Sequence, residues 1–203
     1  MKYIFTVLLL FAVTACSNVK KDSEKSLKNT HHKTLLGQLE PKIKYTDVQK
    51  TLGEATTKLF DKNKNRTENI RLAIEKINEM TIDKGAEFSF NGAVGERSEK
   101  RGFKEAPVIK EGKQDTGVGG GVCQVSSTLY MAAKNAGLWI KERHSHTKPV
   151  PYADKNNDAT VVYGVKDFRF VNTSEYPITL YLWLDDDVLY AKIVSNEKKL
   201  IYE

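Results

Sequence analysis

The 203-residue chain holds only two cysteines, Cys16 and Cys123. If Cys16 carries lipid, Cys123 has no disulfide partner. An unpaired thiol in an exported protein is either a reactive group or a small buried hydrophobe. Long apolar runs are missing as well: residues 4–13 are apolar apart from Thr6, but a bilayer-spanning helix needs roughly 18–20 such residues. No internal repeat is visible, which sets solenoids and propellers aside. Net charge is scarce where it would matter. Of the total of +6, residues 17–44 hold +4 and Lys2 holds +1, leaving +1 for everything else. A body so nearly neutral argues against nucleic acid as a partner.

What is present begins with a leader. Met1 and Lys2 precede the short apolar run, and Val13, Thr14 and Ala15 lead into Cys16. A charged start, a short apolar stretch and a small residue before cysteine form the signal of an exported bacterial lipoprotein. Residues 1–15 are therefore expected to be a signal peptide, with Cys16 lipidated as the first mature residue; ordinary cleavage after Ala15 would instead release a free protein. Residues 16–45 read as a basic, polar tether whose lysines are attracted to anionic lipid or wall polymers. His31 and His32 in it read as a solvated pair. Residues 46–203 are expected to be one domain, extracytoplasmic and held to the membrane through its lipid.

Along that domain, Asp47 is placed to cap a weak helix reaching about Phe60. After an Asn-rich, basic break at 61–66, Thr67 is placed to cap a better one, with Ile70, Ala73, Ile74 and Ile77 on one face. From Thr81 onward, glycines punctuate short extended pieces, with Phe88 and Phe90 on one side and Pro107, Val108 and Ile109 forming another. Gly117 to Gly121 then lead into a helix whose Leu129, Ala132, Ala133 and Ala136 recur at helical spacing, with Gly137 placed to stop it. Residues 138–143 read as a strand, as do 159–163, 168–171, 178–184 and 188–194. The last two are joined by a turn at Asp185, Asp186 and Asp187. The expected class is α+β: N-terminal helices, a central helix after a glycine-rich loop, and a mainly antiparallel C-terminal sheet.

Three groups of residues carry a resemblance: Gly85-Ala86-Glu87-Phe88-Ser89-Phe90-Asn91, Gly95-Glu96-Arg97, and Gly119-Gly120-Gly121-Val122-Cys123-Gln124-Val125-Ser126-Ser127. With Glu142-Arg143-His144, Asp158-Ala159-Thr160-Val161 and Asp167-Phe168 following in order, residues 66–194 resemble the VanW family. That family takes its name from a gene in some vancomycin-resistance clusters. Its members often accompany wall-binding or peptidoglycan-associated domains, which implies work at the cell envelope, with peptidoglycan or other wall material as partner. With no such domain appended here, delivery to the wall would rest on the lipid anchor alone.

The residues themselves suggest a site. Cys123 follows three glycines at a helix start, where backbone N–H groups and the helix dipole favour a thiolate. His144 and His146 lie 21 and 23 residues further on, on what reads as extended chain, so both are expected to face one side. Asp158 or Asp167 could orient an imidazole. The order of glycine-preceded Cys, helix, Arg143, His and Asp is similar to that of transglutaminase-like and papain-like thiol enzymes. That likeness implies a core of the same kind and acyl transfer or amide hydrolysis through a thioester. Cys123 would attack, His146 or His144 would serve as base, and Gly120, Gly121 or Gln124 would donate to the oxyanion, with Ser126, Arg143 and Asp167 near the substrate.

Other readings stay open. Cys123, His144 and His146 with a carboxylate would also suit zinc, although the thiol reading needs no cofactor. Cys123 could be a packed hydrophobe in a non-catalytic wall-binding or scaffold module. Glu87, Glu96, Glu105 and Glu142 would suit glycan cleavage if two flanked a bond, yet their spacing selects no pair.

Overall fold

The computed structural model describes residues 44–110 and 113–201. The leader, Cys16 and the tether through residue 43 lie outside the described residues. The elements below belong to the unit Tyr45–Leu200, apart from the end residues Lys44 and Ile201.

The described residues open with strand β1, Lys44–Lys58, where a helix was expected after Asp47. Two features decide this. Val48, Thr51, Thr56 and Thr57 are β-branched and suit a pleated surface. Gly53 lies directly on the helix that follows the glycine loop: a Cβ there would sit 2.3 Å from Ala136 N and 2.5 Å from Ala132 O. Only a glycine in an extended segment can approach a helix backbone so closely.

Helix α1, Lys64–Glu75, begins earlier than Thr67 because Asn63 is the cap, its side chain accepting from Arg66 N. Thr67 falls inside the first turn and donates its hydroxyl to Asn63 O at 3.2 Å. The apolar stripe is buried as its spacing requires, with Ile70, Ala73 and Ile77 at 0% exposure.

Short strands β2, Met80–Ile82, and β3, Glu87–Ser89, lead to a five-residue helix α2, Phe90–Val94. A hairpin follows, β4, Glu105–Lys110, with β5, Lys113–Val118. Helix α3, Val122–Asn135, runs through the core, and Gly137, at φ 70°, turns the chain out of it. Strand β6, Trp139–Glu142, is followed by a long irregular stretch up to β7, Arg169–Val171; the hairpin β8, Ile178–Asp185, and β9, Val188–Ile201, completes the unit.

The strands form three sheets ordered β1-β9-β8-β2, β3-β7-β6 and β4-β5. Register follows the alternation of apolar residues. Leu180 faces Ile193 and Leu182 faces Ala191 across the long hairpin, all four buried. Phe88 faces Phe170 across β3 and β7, with their rings stacked at 4.9 Å. Leu129 of α3 is fully buried among these layers, and Tyr130 meets Phe168 edge-on. The class is mixed α+β, with three α-helices and several antiparallel sheets among the described residues.

One expected strand is absent. Residues 159–163 form no ladder beyond a single bridge from Val162 to Lys166. Their peptide groups are engaged elsewhere: Ala159 N donates to Ser127 Oγ, Ala159 O accepts from Ser126 Oγ, and Thr160 N donates to His144 O. Side chains of α3 thus take the place of a neighbouring strand, which lays this segment across the start of the helix.

Candidate active site

The glycine loop sets the position of Cys123. Gly121 caps α3 with φ 103°, a conformation L side chains rarely adopt. At Gly120 the constraint is space, since a Cβ would stand 2.6 Å from Pro107 O and 2.8 Å from Ala106 O. The loop therefore lies flat on β4 and delivers Cys123 to the first turn of α3. Val122 N and Gln124 N turn back to Gly119 O and Gly121 O, whereas the N–H groups of Gly121 and Cys123 have no acceptor among the described residues.

Three segments meet here. Ser126 and Ser127 bind the first turn of α3 to residue 159, each also donating to Cys123 O, at 3.1 and 2.7 Å. This places Cys123 Sγ 3.7 Å from Thr160 Oγ1 and 3.6 Å from Val161 O. Asp158, one residue before that stretch, accepts from His146 twice at 2.6 Å, from the backbone N–H and from Nδ1. Its other oxygen accepts from Arg143 Nη2 at 2.9 Å, while Arg143 Nε donates to the Asp158 carbonyl. With Nδ1–H given to the carboxylate, Nε2 carries the lone pair. Nε2 lies 3.5 Å from the Tyr152 hydroxyl, and His146 and Cys123 line the same cleft.

Electrostatics follow from this contact. Burial pushes the Cys123 thiol up, but the hydrogen bond from His146, the Val161 backbone, the His146 charge and Thr160 together bring it below the ordinary thiol value. Burial pushes His146 down, and the partnership with Cys123 and then Asp158 more than offsets this, leaving it raised. Each partner thus favours the charged form of the other, the condition for a thiolate–imidazolium pair. Burial beside this thiol keeps the Tyr152 phenol neutral, its pKa pushed well up. The group opens into a cleft of about 370 Å³ whose walls include Phe60, Val150, Pro151 and Tyr152. That volume is within the range of small-ligand pockets.

Of the residues singled out by sequence, Cys123, His146 and Asp158 are brought together, with Arg143 supporting Asp158 and Gly120 and Gly121 lining the cleft. Others lie elsewhere. His144 does not share the face of His146: β6 ends at Glu142, strand alternation stops there, and His144 Nε2 pairs with Glu142 Oε1 at 2.9 Å. Asp167 is far from either role expected of it. Its oxygens accept from Ser89 Oγ, Asn91 N and Phe168 N, fixing the start of α2. Gln124 is clamped, its Nε2 donating to Thr57 Oγ1 and Lys58 O and its Oε1 accepting from Arg66, so its amide is not free for an oxyanion. Ser126 is fully buried and serves Ala159. With His144 elsewhere, the alternative zinc set is not assembled, and among the described residues no three His, Cys, Asp or Glu side chains are grouped to hold a metal. Glu87 is in ion pairs with Lys141 and Arg169, and Glu142 pairs with Arg169 and is hydrogen-bonded to His144.

Sequence reasoning missed Arg66, Tyr152 and Thr160. A signal existed for the first: Arg66 stands four residues before Ile70, on the buried stripe of α1. Nothing in the sequence marks Tyr152.

One prediction arises from the serine contacts. Ser127→Ala leaves Ala159 N–H buried without its acceptor, and is expected to cost about 1–3 kcal/mol. The denaturant midpoint should fall with unchanged slope; an unshifted midpoint would mean the segment is held by other contacts.

The fold and cleft define a mixed α+β protein with a Cys–His–Asp cluster at the head of a helix. The family model described as VanW like protein matches residues 65–194, and the chain belongs to that family. It is 46% identical over 129 residues to YoaR of Bacillus subtilis, a match covering 64% of this chain and 43% of that protein. It is also 28% identical over 139 residues to the vancomycin B-type resistance protein VanW of Enterococcus faecalis, covering 66% of this chain and 50% of that one. The chain thus spans half or less of the length of these relatives. No solved structure matches it.

Proposed function

We propose that this chain is a lipid-anchored, extracytoplasmic thiol enzyme that hydrolyses or transfers an amide-linked acyl group of peptidoglycan through a thioester on Cys123. The observation that carries this reading is the meeting of Cys123 with a histidine that is itself held by a carboxylate, at the edge of a cleft. The Cys123 thiolate attacks the carbonyl carbon, and the C–N bond breaks as His146 Nε2 passes its proton to the leaving nitrogen. Water or an amine then opens the thioester and gives a proton to His146, releasing the acid or a new amide and restoring the ion pair. Asp158 keeps the ring in one tautomer throughout. Charge on the carbonyl oxygen develops at the start of α3, where the N–H groups of Gly121 and Cys123 are without acceptors. The order of residues is similar to that of papain-like and transglutaminase-like enzymes; the arrangement supports the chemistry without implying a shared core.

The envelope assignment is supported by the leader ending at Cys16, by the basic stretch behind it, and by the relative named for vancomycin resistance. Feeding cells labelled palmitate should label the protein and fail to label a Cys16→Ala variant; equal labelling of both would remove the anchor.

The test of the chemistry is alkylation of Cys123 by iodoacetamide across pH, read by peptide mass. With the thiol lowered and the histidine raised, the thiolate persists below the ordinary range near pH 8.5. Reaction should therefore persist below that range, where an ordinary thiol loses about tenfold per pH unit. An acyl adduct on Cys123 after incubation with muropeptides is the second expected result. Reaction confined to the alkaline range would eliminate the activated nucleophile.

A further inference from the structure

Arg66 is 1% exposed, yet it lines the same cleft as Cys123. A buried guanidinium is costly unless it is paired, and Arg66 makes no ion pair with a carboxylate among the described residues. Its Nη2 donates to Gln124 Oε1 at 2.6 Å, and its Nη1 has no hydrogen-bond partner among the described residues. The group cannot easily swing to find one. Gln124 is clamped by Thr57 and Lys58, and the guanidinium lies 4.3 Å from the ring centre of Phe60, which faces the same cleft. Among the described residues no Asp or Glu lines this cleft. What results is a fixed, desolvated cation with one open donor beside a nucleophile.

We infer that Arg66 is the anion receptor of this cleft, and that the substrate is an amide carrying a free carboxylate close to the bond attacked. This rests on reading Cys123 as a nucleophile and narrows its substrate class. Charge balance selects the class of anion. Among the side chains lining the cleft the thiolate and imidazolium cancel and Arg66 is left over, Asp158 being matched by Arg143 and Asp61 acting on Arg66 from outside the lining without an ion pair; a carboxylate neutralises that charge and a phosphate dianion would overshoot it. Arginine holds that charge at any working pH even though burial lowers its pKa. The remaining walls are largely apolar and fit the aliphatic part of an amino acid. A peptide ending in an amino acid with a free carboxylate meets all three conditions.

The test uses the purified protein and two reagents with the same leaving group. Cys123 Sγ displaces iodide from iodoacetate or from iodoacetamide, and the ratio of the two rates is compared with that of free cysteine. A charge-assisted contact predicts a ratio about tenfold higher for Cys123. In Arg66→Gln the ratio should fall several-fold, and in Arg66→Lys it should be partly restored. Because a buried substitution can disturb folding, the unmodified protein supplies a second readout. N-acetylalanine should slow iodoacetamide alkylation of Cys123, N-acetylalanine amide should not, and inorganic phosphate should protect less. A ratio equal to that of free cysteine, or equal protection by acid and amide, would overturn the assignment and leave Arg66 a structural cation. Repeating the measurements near pH 9, where any accessible thiol reacts, keeps this outcome separate from failure of the nucleophile itself.

Discussion

His146→Ala is expected to lower the rate of Cys123 alkylation below about pH 8.5 by about tenfold for each unit its thiol pKa rises, and to lower any thioester turnover by about 10²–10⁴-fold. The reason is that burial alone pushes the thiol up, and His146 supplies the largest opposing effect. Removing the ring leaves the desolvation in place and takes away both its hydrogen bond and its charge. His144→Ala should change these rates less than about twofold, since His144 is engaged with Glu142 and not with sulfur. Asp158→Asn should fall between them, because an amide can give its own N–H to Nδ1 and so favour the wrong tautomer. The pH profile is the discriminating measurement. If both histidine variants shift it equally, or neither does, the pairing of Cys123 with His146 is wrong.

Gly120→Ala carries the largest expected effect on stability. Its missing Cβ would point at two carbonyl oxygens of β4, at 2.6 and 2.8 Å, and backbone cannot move aside as a side chain can. Overpacking of this kind costs about 3 kcal/mol, or roughly 6–12 °C of melting temperature in a domain of this size. Any molecules that fold should have the loop lifted from β4 and Cys123 displaced, so thiol reactivity should fall with stability. Gly137→Ala is the control: that position has φ 70° but open space around it. Its cost should be only the left-handed strain of about 1–2 kcal/mol, with reactivity preserved. Equal losses at the two positions would mean that contact with β4 is not what fixes the loop.

Legibility in the sequence followed how local the determining physics was. The stripe Ile70, Ala73, Ile74 and Ile77 and the run from Leu129 to Ala136 declare helices because their burial repeats at helical spacing. Strand β1 was hidden: its helical reading rested on a weak pattern, while the decisive contact of Gly53 with Ala132 and Ala136 is some 80 residues away in sequence. Residues 159–163 have the composition of a strand and are none, because serines of α3 take their hydrogen bonds. In the site, the lone cysteine after glycines, the histidines and the aspartates could all be nominated from residue type and order. Choosing between His144 and His146, or between Asp158 and Asp167, required knowing where β6 stops and which carboxylate is engaged near α2. Arg66 was passed over because a cation before an apolar stripe reads as a solvated helix start.

The family match begins at residue 65, whereas β1 ends at Lys58. Thr57 and Lys58 nonetheless clamp Gln124, the immediate neighbour of Cys123, and Gln124 in turn fixes Arg66. A recombinant fragment trimmed to the matched span would retain every member of the Cys–His–Asp cluster and lose the outer hand that grips it. Domain boundaries for expression or for grafting into another protein therefore belong upstream of residue 44, and loss of β1 should slacken the cleft without touching a single one of its reactive groups.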